Sequence, residues 1–317
     1  MTTPPQADPE SPRGLTGVPT VTLPLRCFDL AATLSSGQVF HWRAVDGGYL
    51  GLIDTTPVFL RQPTPDRLEV AGHDTTALAA SYLALDHDSE AIVSTFPPND
   101  TTLAAAVAFA PGLRLIRQPA WECLATFITS SLKQVPHIAR LSHTLRERFG
   151  KPVDFGGGTL HTYPSPAALA AAGEAALRQC GLGYRAAYLA ATARLVDSGA
   201  MDLGFLTDPD VPDDEAMRRL TQSPGVGPKV ASCVLLFAGQ RLGFFPIDVW
   251  IERALRERYF PRRRKFPTGF LPRFAHRHFG PYRGYAQQFL FHHARTANQK
   301  TKARTSAEAA SSGSLGW

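Results

Sequence analysis

The sequence has 317 residues, enough for one large or two ordinary domains, and its hydrophobic fraction of 44% and charged fraction of 19% are typical of a globular protein. It contains no apolar run of membrane-spanning length and no signal-peptide pattern, which predicts an intracellular protein with no membrane partner and no targeting signal. The net charge is +6, and residues 241–300 hold 13 Lys and Arg against 3 Asp and Glu, which favours a polyanionic partner.

The composition divides the chain into two tails and two structured parts. Residues 1–18 and 297–317 lack apolar periodicity and are predicted to be disordered tails. Residues 19–110 begin with short β-type runs separated by Gly, Asp and Pro turns, which predicts a small antiparallel sheet with helices following it. Residues 111–296 show mainly helical patterns. The predicted fold class is therefore α+β, a small sheet domain followed by a mostly helical body.

The segment LTQSPGVGPK, residues 220–229, predicts a tight turn between two helices. Its glycines, Gly225 and Gly227 on either side of Val226, can adopt backbone conformations that are closed to other residues. A turn of this kind exposes unpaired backbone N–H groups at the positive end of the next helix, where a phosphate oxygen can bind. The hairpin therefore predicts contact with a DNA backbone.

Lys229 ends this turn and is one of only six lysines in a chain whose usual cation is arginine. A lysine can lose its proton and become a nucleophilic amine, whereas an arginine cannot. Hairpins of this type also occur in DNA clamps without catalytic activity, where the lysine contacts phosphate. The motif alone leaves both roles open.

Asp248 follows in the segment FFPIDVWIERAL, 19 residues after Lys229 and just before a predicted helix. An aspartate before an apolar-periodic run is most often a helix cap. The proline two residues earlier and the helix after it favour a fixed position for the carboxylate. A cap and a catalytic carboxylate are both compatible with this pattern.

The hairpin lysine together with PIDVW resembles the helix-hairpin-helix DNA glycosylase superfamily. Four further segments resemble its 8-oxoguanine DNA glycosylase branch: SGQVFHW (36–42), RLIRQPAWECLATFITSS (114–131), GLGYRAAY (181–188) and GPYRGYAQQFLF (280–291). The resemblance extends over nearly the whole structured chain. It implies a small antiparallel N-terminal domain packed on a two-part helical body, with duplex DNA bound across the cleft.

The same resemblance assigns roles to the two candidate catalytic residues. Lys229 would attack the sugar C1′, expel the damaged base and form a Schiff base that eliminates the 3′ phosphate. Asp248 would remain ionised and stabilise the positive charge that develops on the sugar.

A base inside a duplex cannot be reached, so the nucleotide must be flipped out into a pocket. By resemblance, the backbone carbonyl of Gly37 reads the N7 hydrogen that distinguishes 8-oxoguanine from guanine. Gln287 would bond the Watson–Crick edge, and Cys233 and Phe291 would sandwich the ring. Ordinary packing in a helix core is the alternative for Cys233 and Phe291.

Tyr184 matches the family's wedge position, and Arg185 matches a reader of the orphaned partner base. From the residues alone, an aromatic beside an alanine-rich helix is more often part of the core. Leu132 and His137 stand where the well-known eukaryotic members have an asparagine and an arginine at the partner base. These departures predict a weaker preference for a partner cytosine. Trp250 likewise stands where those members have a phosphate-contacting histidine.

The four cysteines, Cys27, Cys123, Cys180 and Cys233, are scattered singly with no C-x-x-C pair. This spacing predicts reduced thiols, no zinc site and no iron-sulfur cluster. We expect no metal and no cofactor for catalysis. The resemblance allows a structural monovalent cation at the hairpin.

The sequence thus predicts a monomeric, bifunctional DNA glycosylase and apurinic/apyrimidinic lyase that removes 8-oxoguanine from duplex DNA. Two alternatives remain: an alkylpurine glycosylase of the same superfamily, which normally lacks the hairpin lysine, and a non-enzymatic helix-hairpin-helix DNA-binding protein. The arginine-rich run at residues 262–265 fits a DNA contact or an ordinary solvated loop.

Overall fold

The computed structural model describes residue 15, residues 17–130 and residues 134–312, with side chains described through residue 297. Leu132, one of the predicted partner-base residues, lies outside the described residues. In the part of the chain that is described, no helix has the combined length and apolar character needed to cross a bilayer.

The N-terminal part contains a five-stranded antiparallel sheet. Its strands are Thr20–Pro24 (β1), Arg43–Val45 (β2), Gly48–Ile53 (β3), Thr56–Thr64 (β4) and Arg67–Ala71 (β5). They lie in the order β1-β5-β4-β3-β2, so that β1 closes one edge by pairing with β5. Val58 and Leu60 on β4 and Leu68 and Val70 on β5 alternate toward one face and are almost completely buried. The predicted antiparallel sheet is confirmed.

Four short helices accompany the sheet: Leu30–Ser35 (α1), Thr76–Tyr82 (α2), Ser89–Ser94 (α3) and Thr101–Phe109 (α4). Three of them begin at an aspartate whose carboxylate accepts a bond from a first-turn backbone N–H, namely Asp29, Asp88 and Asp100. These caps satisfy helix donors that have no partner within the helix. Local sequence therefore sets where α1, α3 and α4 begin.

The remaining helices form the body of the protein and share one apolar core. They are Ala120–Ser130 (α5), Val135–Phe149 (α6), Pro166–Leu177 (α7), Arg185–Asp197 (α8), Asp213–Thr221 (α9), Pro228–Phe237 (α10), Val249–Tyr259 (α11), Phe270–His278 (α12) and Arg283–Ser312 (α13). The core is formed where α5 packs against α8 and α10, and α13 packs against α4 and α11. The mostly helical body is as predicted, and the chain is α+β.

Two local features differ from the sequence prediction. Pro152–Phe155 (β6) and Gly158–His161 (β7) form a two-stranded hairpin inside the body, where no strand was expected. Its turn uses two glycines with positive φ, and Phe155 packs in a small core with Leu52 and Phe59 of the N-terminal sheet. Helix α7 is interrupted at Gly173, whose φ is 69°.

The chain termini also extend the structured part beyond the predicted limits. Leu15, within the predicted N-terminal tail, is buried and joins the small core around Leu52. The backbone of α13 stays helical through Ser312, past the predicted boundary at residue 297. The exact domain boundaries remain predictions.

The segment around Gly37 is held between the two parts of the protein by buried hydrogen bonds. The Gln38 amide donates to the Arg114 carbonyl at 2.7 Å and accepts from the Ile116 N–H at 2.8 Å. Gln118 donates to the Gln38 carbonyl at 2.7 Å, and Gln288 on α13 donates to the Ser36 carbonyl at 3.1 Å. This network fixes the loop of Gly37 against both α13 and the segment before α5.

Candidate active site

The hairpin predicted at residues 220–229 joins α9 to α10. Gly225 has φ of 77°, and Val226 closes the turn by donating its N–H to the Ser223 carbonyl at 3.1 Å. Gly227 is exposed, and no side chain caps the N-terminus of α10. Backbone N–H groups in the first turn of α10 therefore face outward, as an anion site requires.

Lys229 lies in the first turn of α10, and Cys233 lies one turn further on the same face. Burial raises the pKa of the Cys233 thiol, whereas the nearby Lys229 acts in the opposite direction. The charge of Asp248 also raises the pKa of this thiol. The structure thus brings the two predicted catalytic residues and one predicted pocket residue together.

Asp248 is the N-cap of α11, and its carboxylate accepts a bond from the Ile251 N–H at 2.8 Å. Burial raises the pKa of this carboxyl group, while the Ile251 N–H and the charge of Lys229 partly offset the shift. The cap interpretation and the catalytic interpretation are compatible, because one oxygen of the carboxylate suffices for the cap. The cap fixes the group beside Lys229.

Phe127 on α5 is a neighbour of Lys229 that the sequence did not reveal. The Lys229 Nζ lies 5.3 Å from the centroid of this ring, which stacks on Phe237 at 5.6 Å and meets Phe40 edge-on at 6.4 Å. These aromatic rings form an apolar wall beside the amine. Phe127 lies within the segment 114–131 that carried the resemblance, but its helical position indicates only a core residue.

Gly37 and Phe291 meet although they are far apart in the chain. Gly37 has φ of 86°, and a Cβ placed on it would lie 3.0 Å from the Phe291 ring and 3.4 Å from the Arg295 guanidinium. Arg295, which the sequence analysis did not select, donates to the Ser35 carbonyl and thereby holds this loop on α13. A glycine is needed at this close approach.

Gln287 lies one turn before Phe291 on α13, so the two side chains share a face. Gln287 is buried, and its Oε1 has no hydrogen-bond partner among the described residues. A buried acceptor without a partner is destabilising unless a ligand satisfies it. Gly37, Phe291 and Gln287 therefore form one group at the junction of the two parts.

Tyr184 is 49% exposed at the start of α8, directly after Gly183, whose φ is 60°. Its ring meets Tyr188 edge-on at 5.9 Å, and the Arg185 guanidinium lies 4.3 Å from its centroid. The large exposed fraction excludes a role for Tyr184 in the core. Tyr188, which the sequence analysis did not single out, connects Tyr184 to the hairpin because it packs against Gly225.

The remaining predicted positions are less closely linked to this group. His137 lies in the first turn of α6 and is half-buried, four residues after the segment that the structure does not describe. Trp250 lies in the first turn of α11, with the Arg253 guanidinium 5.7 Å from its ring centroid. All four cysteines are free thiols. Among the described residues, no three His, Cys, Asp or Glu side chains are grouped as a metal site would need.

Comparison with known proteins places this geometry in a family. Residues 20–124 match the model of the 8-oxoguanine DNA glycosylase N-terminal domain, and residues 126–268 match that of the HhH-GPD superfamily of base excision DNA repair proteins. A probable N-glycosylase/DNA lyase of Methanothermobacter thermautotrophicus is 30% identical over 86% of this chain and 95% of its own length.

Two solved structures are similar over most of the chain. The structure of MBOgg1 with a low-affinity DNA ligand has a TM-score of 0.82 and 31% identity, covering 88% of this chain and 96% of that one. The Clostridium acetobutylicum 8-oxoguanine glycosylase/lyase, in complex with duplex DNA containing cytosine opposite 8-oxoguanine, has a TM-score of 0.78 and 28% identity, covering 86% and 93%. The chain belongs to the 8-oxoguanine DNA glycosylase family of the HhH-GPD superfamily and is an N-glycosylase/DNA lyase of base excision repair.

Proposed function

We propose that this chain excises 8-oxoguanine from duplex DNA and then cleaves the strand, with Lys229 as the nucleophile and Asp248 as the carboxylate that stabilises the sugar. The observation that carries the proposal is the position of Lys229 and Cys233 one turn apart on α10, with Asp248 at the N-cap of α11 near enough for the charges to interact. A clamp that only binds phosphate requires neither the carboxylate nor the buried thiol.

The first covalent step joins the Lys229 Nζ to C1′ as the bond between C1′ and N9 of the base breaks. The electron pair of that bond leaves with the base, which then takes up a proton. Lysine attacks carbon only as the neutral amine. The apolar wall of Phe127 and its neighbours excludes water from one side of that amine.

Asp248 acts in the same step through its charge. As the glycosidic bond breaks, positive charge develops on the sugar, and an ionised carboxylate held in place stabilises that charge. The N-cap bond to Ile251 holds the carboxylate before the substrate arrives. Fixed groups of this kind need no reorganisation during the reaction.

The second step follows from the covalent adduct. Opening of the sugar ring gives an imine between Nζ and C1′, and loss of a proton from C2′ then breaks the bond from C3′ to the 3′ phosphate oxygen. Water finally releases the amine from the sugar remnant. The reaction uses the lysine throughout, and no oxidant or reductant is consumed.

We place the flipped base between α10 and α13. The unpaired Oε1 of Gln287 is available to an N–H donor on the Watson–Crick edge of the purine. The neutral Cys233 thiol and the Phe291 ring provide two apolar surfaces for the base plane. The carbonyl of Gly37 would accept the N7 hydrogen that guanine lacks.

Flipping leaves a gap in the duplex that Tyr184 is placed to fill, because its ring is exposed beside the phosphate-binding hairpin. Arg185, which stacks on this ring, would face the orphaned partner base. The chain acts on DNA as a monomer in this proposal, and one copy supplies every residue that the reaction uses.

The proposal is tested by sodium borohydride trapping on duplexes that carry 8-oxoguanine. The wild-type protein is expected to form a covalent adduct, whereas Lys229→Gln binds the duplex but gives neither adduct nor base release. The matched control is Lys151→Gln, which removes an exposed lysine directly before β6. This variant is expected to keep both activities.

The outcome also separates the two alternatives. An alkylpurine glycosylase would release its base without a trapped adduct, and a non-enzymatic clamp would release no base. A Lys229→Gln protein that still forms the adduct would place the nucleophile elsewhere.

A further inference from the structure

The net positive charge of the chain is concentrated on α11, the loop after it and α12. Residues 252–277 contain nine Lys and Arg against two Glu, a local charge of +7 in a chain whose total is +6. All nine cations are exposed; they are Arg253, Arg256, Arg258, Arg262, Arg263, Arg264, Lys265, Arg273 and Arg277. We call these nine side chains the basic surface.

The basic surface is almost entirely unneutralised. Among its nine cations, only Arg256 forms an ion pair within the described part of the chain, at 2.6 Å from Glu252. Exposed arginines on α9 differ, because Arg218 and Arg219 share the carboxylate of Glu215. Like charges held together without carboxylates destabilise the free protein and favour an anionic partner.

The loop that carries four of these cations is anchored on an aromatic cluster. Phe260 contacts Phe266, Phe270 and Phe274 with ring centroids 4.8 to 5.9 Å apart. The Arg263 guanidinium covers the Phe270 ring at 4.0 Å, and its Nε donates to the Lys265 carbonyl at 2.9 Å. Arg263 therefore holds the loop, while Arg262, Arg264 and Lys265 have no such internal contact in the described structure and extend from a fixed backbone.

The basic surface begins beside the candidate active site. Asp248 is the N-cap of α11, and Arg253 follows within two helical turns. At about 1.5 Å of rise per residue, Arg253 and Arg258 lie about 8 and 15 Å along the helix from Asp248. A duplex carries one negative charge per about 1.7 Å of its axis, so a duplex that runs alongside α11 has phosphates within that span.

We propose that the basic surface is a second DNA-binding surface, which contacts the phosphates of duplex flanking the lesion. This inference rests on the proposed function, because it takes the lesion to lie beside Asp248. The surface adds affinity and length to the binding site but takes no part in base removal.

The chemistry of the surface favours DNA phosphates over a lipid headgroup layer. Eight of its nine cations are arginines, whose planar guanidinium matches two phosphate oxygens at once. Its aromatic residues, such as Phe266 and Phe270, are partly buried beneath guanidinium groups and form no exposed apolar face for insertion into a bilayer. The surface starts on the helix that Asp248 caps, so under the proposed function it begins close to the bound DNA.

The test compares binding to duplexes of about 12 and about 30 base pairs that carry an uncleavable abasic analogue, over a series of salt concentrations. The test variant is Arg262→Gln/Arg264→Gln/Lys265→Gln, which leaves the Arg263 contacts in place. On the longer duplex, we expect the negative slope of log K against log[salt] to become shallower by about 2 to 3, because each lost phosphate contact accounts for about 0.9. On the shorter duplex the change is expected to be smaller.

A matched control removes the same charge elsewhere. Arg26→Gln/Arg67→Gln/Arg194→Gln replaces three exposed arginines outside the basic surface and is expected to change the slope by less than about 1. Equal changes in the two triple variants, or no change in either, would overturn the inference. The inference would also be overturned if the Arg262→Gln/Arg264→Gln/Lys265→Gln variant lost binding to phosphatidylserine vesicles or to polyglutamate while its DNA binding stayed unchanged.

Single-turnover base release at saturating protein separates this inference from the proposed function. The triple variant is expected to release 8-oxoguanine at the wild-type rate. A tenfold or larger loss of that rate would place the surface in the catalytic machinery and contradict the proposal. If the wild-type protein itself released no base, the proposed function would fail independently of the salt series.

Discussion

Tyr188 and Gly225 are packed so closely that only a glycine fits at position 225. A Cβ placed on Gly225 would lie 2.7 Å from the Cβ, Cγ and Cδ2 atoms of Tyr188, and the residue has φ of 77°. Because Tyr188 also meets Tyr184 edge-on at 5.9 Å, it links the candidate wedge to the hairpin before Lys229. The Thr192 hydroxyl donates to the Pro224 carbonyl at 3.3 Å and holds the same turn on α8.

We predict that Gly225→Ala destabilises the protein by about 1 to 3 kcal/mol and weakens DNA binding, because an added methyl clashes with Tyr188 and positive φ disfavours a Cβ. Urea unfolding and duplex titration measure the two effects. In Gly225→Ala/Tyr188→Ala the clash with the ring atoms is removed, whereas the contact with the Cβ of residue 188 and the φ strain remain, so the two substitutions should couple partly in a double-mutant cycle.

Gly227→Ala is the matched control for stability, since its φ is −89° and nothing lies within 4 Å of its Cβ position. Its free energy of unfolding should change by less than about 1 kcal/mol. Equal losses of stability at positions 225 and 227 would show that contact with Tyr188 is unimportant.

Substitution can separate the two proposed roles of Asp248, as a helix cap and as a catalytic carboxylate. Asparagine is as good an N-cap as aspartate, so Asp248→Asn should retain stability to within about 1 kcal/mol while base release falls by about 100-fold or more. Asp248→Ala should lose both the activity and about 0.5 to 2 kcal/mol of stability. Thermal unfolding and single-turnover kinetics provide the two measurements. An Asp248→Asn protein with near wild-type base release would leave the cap as the residue's sole role.

The pH dependence of base release should reflect Asp248. Burial raises the pKa of its carboxyl group, so the carboxylate is lost on acidification at a pH above the ordinary aspartate value of about 3.9. The protonated group cannot stabilise positive charge on the sugar, and the rate should fall as the pH decreases through that raised pKa. A pH profile of single-turnover rates tests this. The residual activity of Asp248→Asn should lack the same acidic decrease.

Gly37→Ala should reduce the preference for 8-oxoguanine over guanine. The new methyl would lie 3.0 Å from the Phe291 ring and would displace the Gly37 carbonyl from the base edge. Affinities for damaged and undamaged duplexes, measured in the Lys229→Gln background, give the preference directly. Gly199→Ala controls for backbone strain, because Gly199 has φ of 73° and nothing within 4 Å. Equal effects of the two substitutions on lesion preference would argue against a Gly37 contact with the base.

Leu132→Asn should strengthen the preference for a partner cytosine. An amide can donate and accept at a base edge, whereas leucine can do neither, and each good base contact contributes about 1 to 3 kcal/mol. We therefore expect the ratio of the rate opposite cytosine to the rate opposite adenine to be about tenfold to a hundredfold higher in the variant than in the wild type. Single-turnover rates on duplexes that differ only in the partner base measure the ratio. A strong cytosine preference in the wild type that Leu132→Asn leaves unchanged would mean that Arg185 suffices.

The amino-acid sequence by itself determined the features that depend on neighbouring residues. Alternating apolar residues specified the five-stranded sheet, the glycines of the hairpin specified the turn before Lys229, and Asp248 was recognised as a cap from its place before a helix. Each depends on backbone geometry within a few residues, which is why local patterns are sufficient. The glycines at residues 156 and 157 carried a similar turn signal for the β6–β7 hairpin, and the sequence interpretation overlooked it.

Only the tertiary structure decided which distant residues meet. Phe127 lies beside Lys229, Phe291 covers Gly37, and Tyr188 packs against Gly225, although each pair is separated by 37 to 254 positions in the sequence. The unpaired Oε1 of Gln287 and the packing of Arg256 and Arg263 on the same Phe266 ring likewise become visible only after packing. The physical reason is that side-chain identity sets what a residue can bond, whereas core packing between helices sets which partners come within reach.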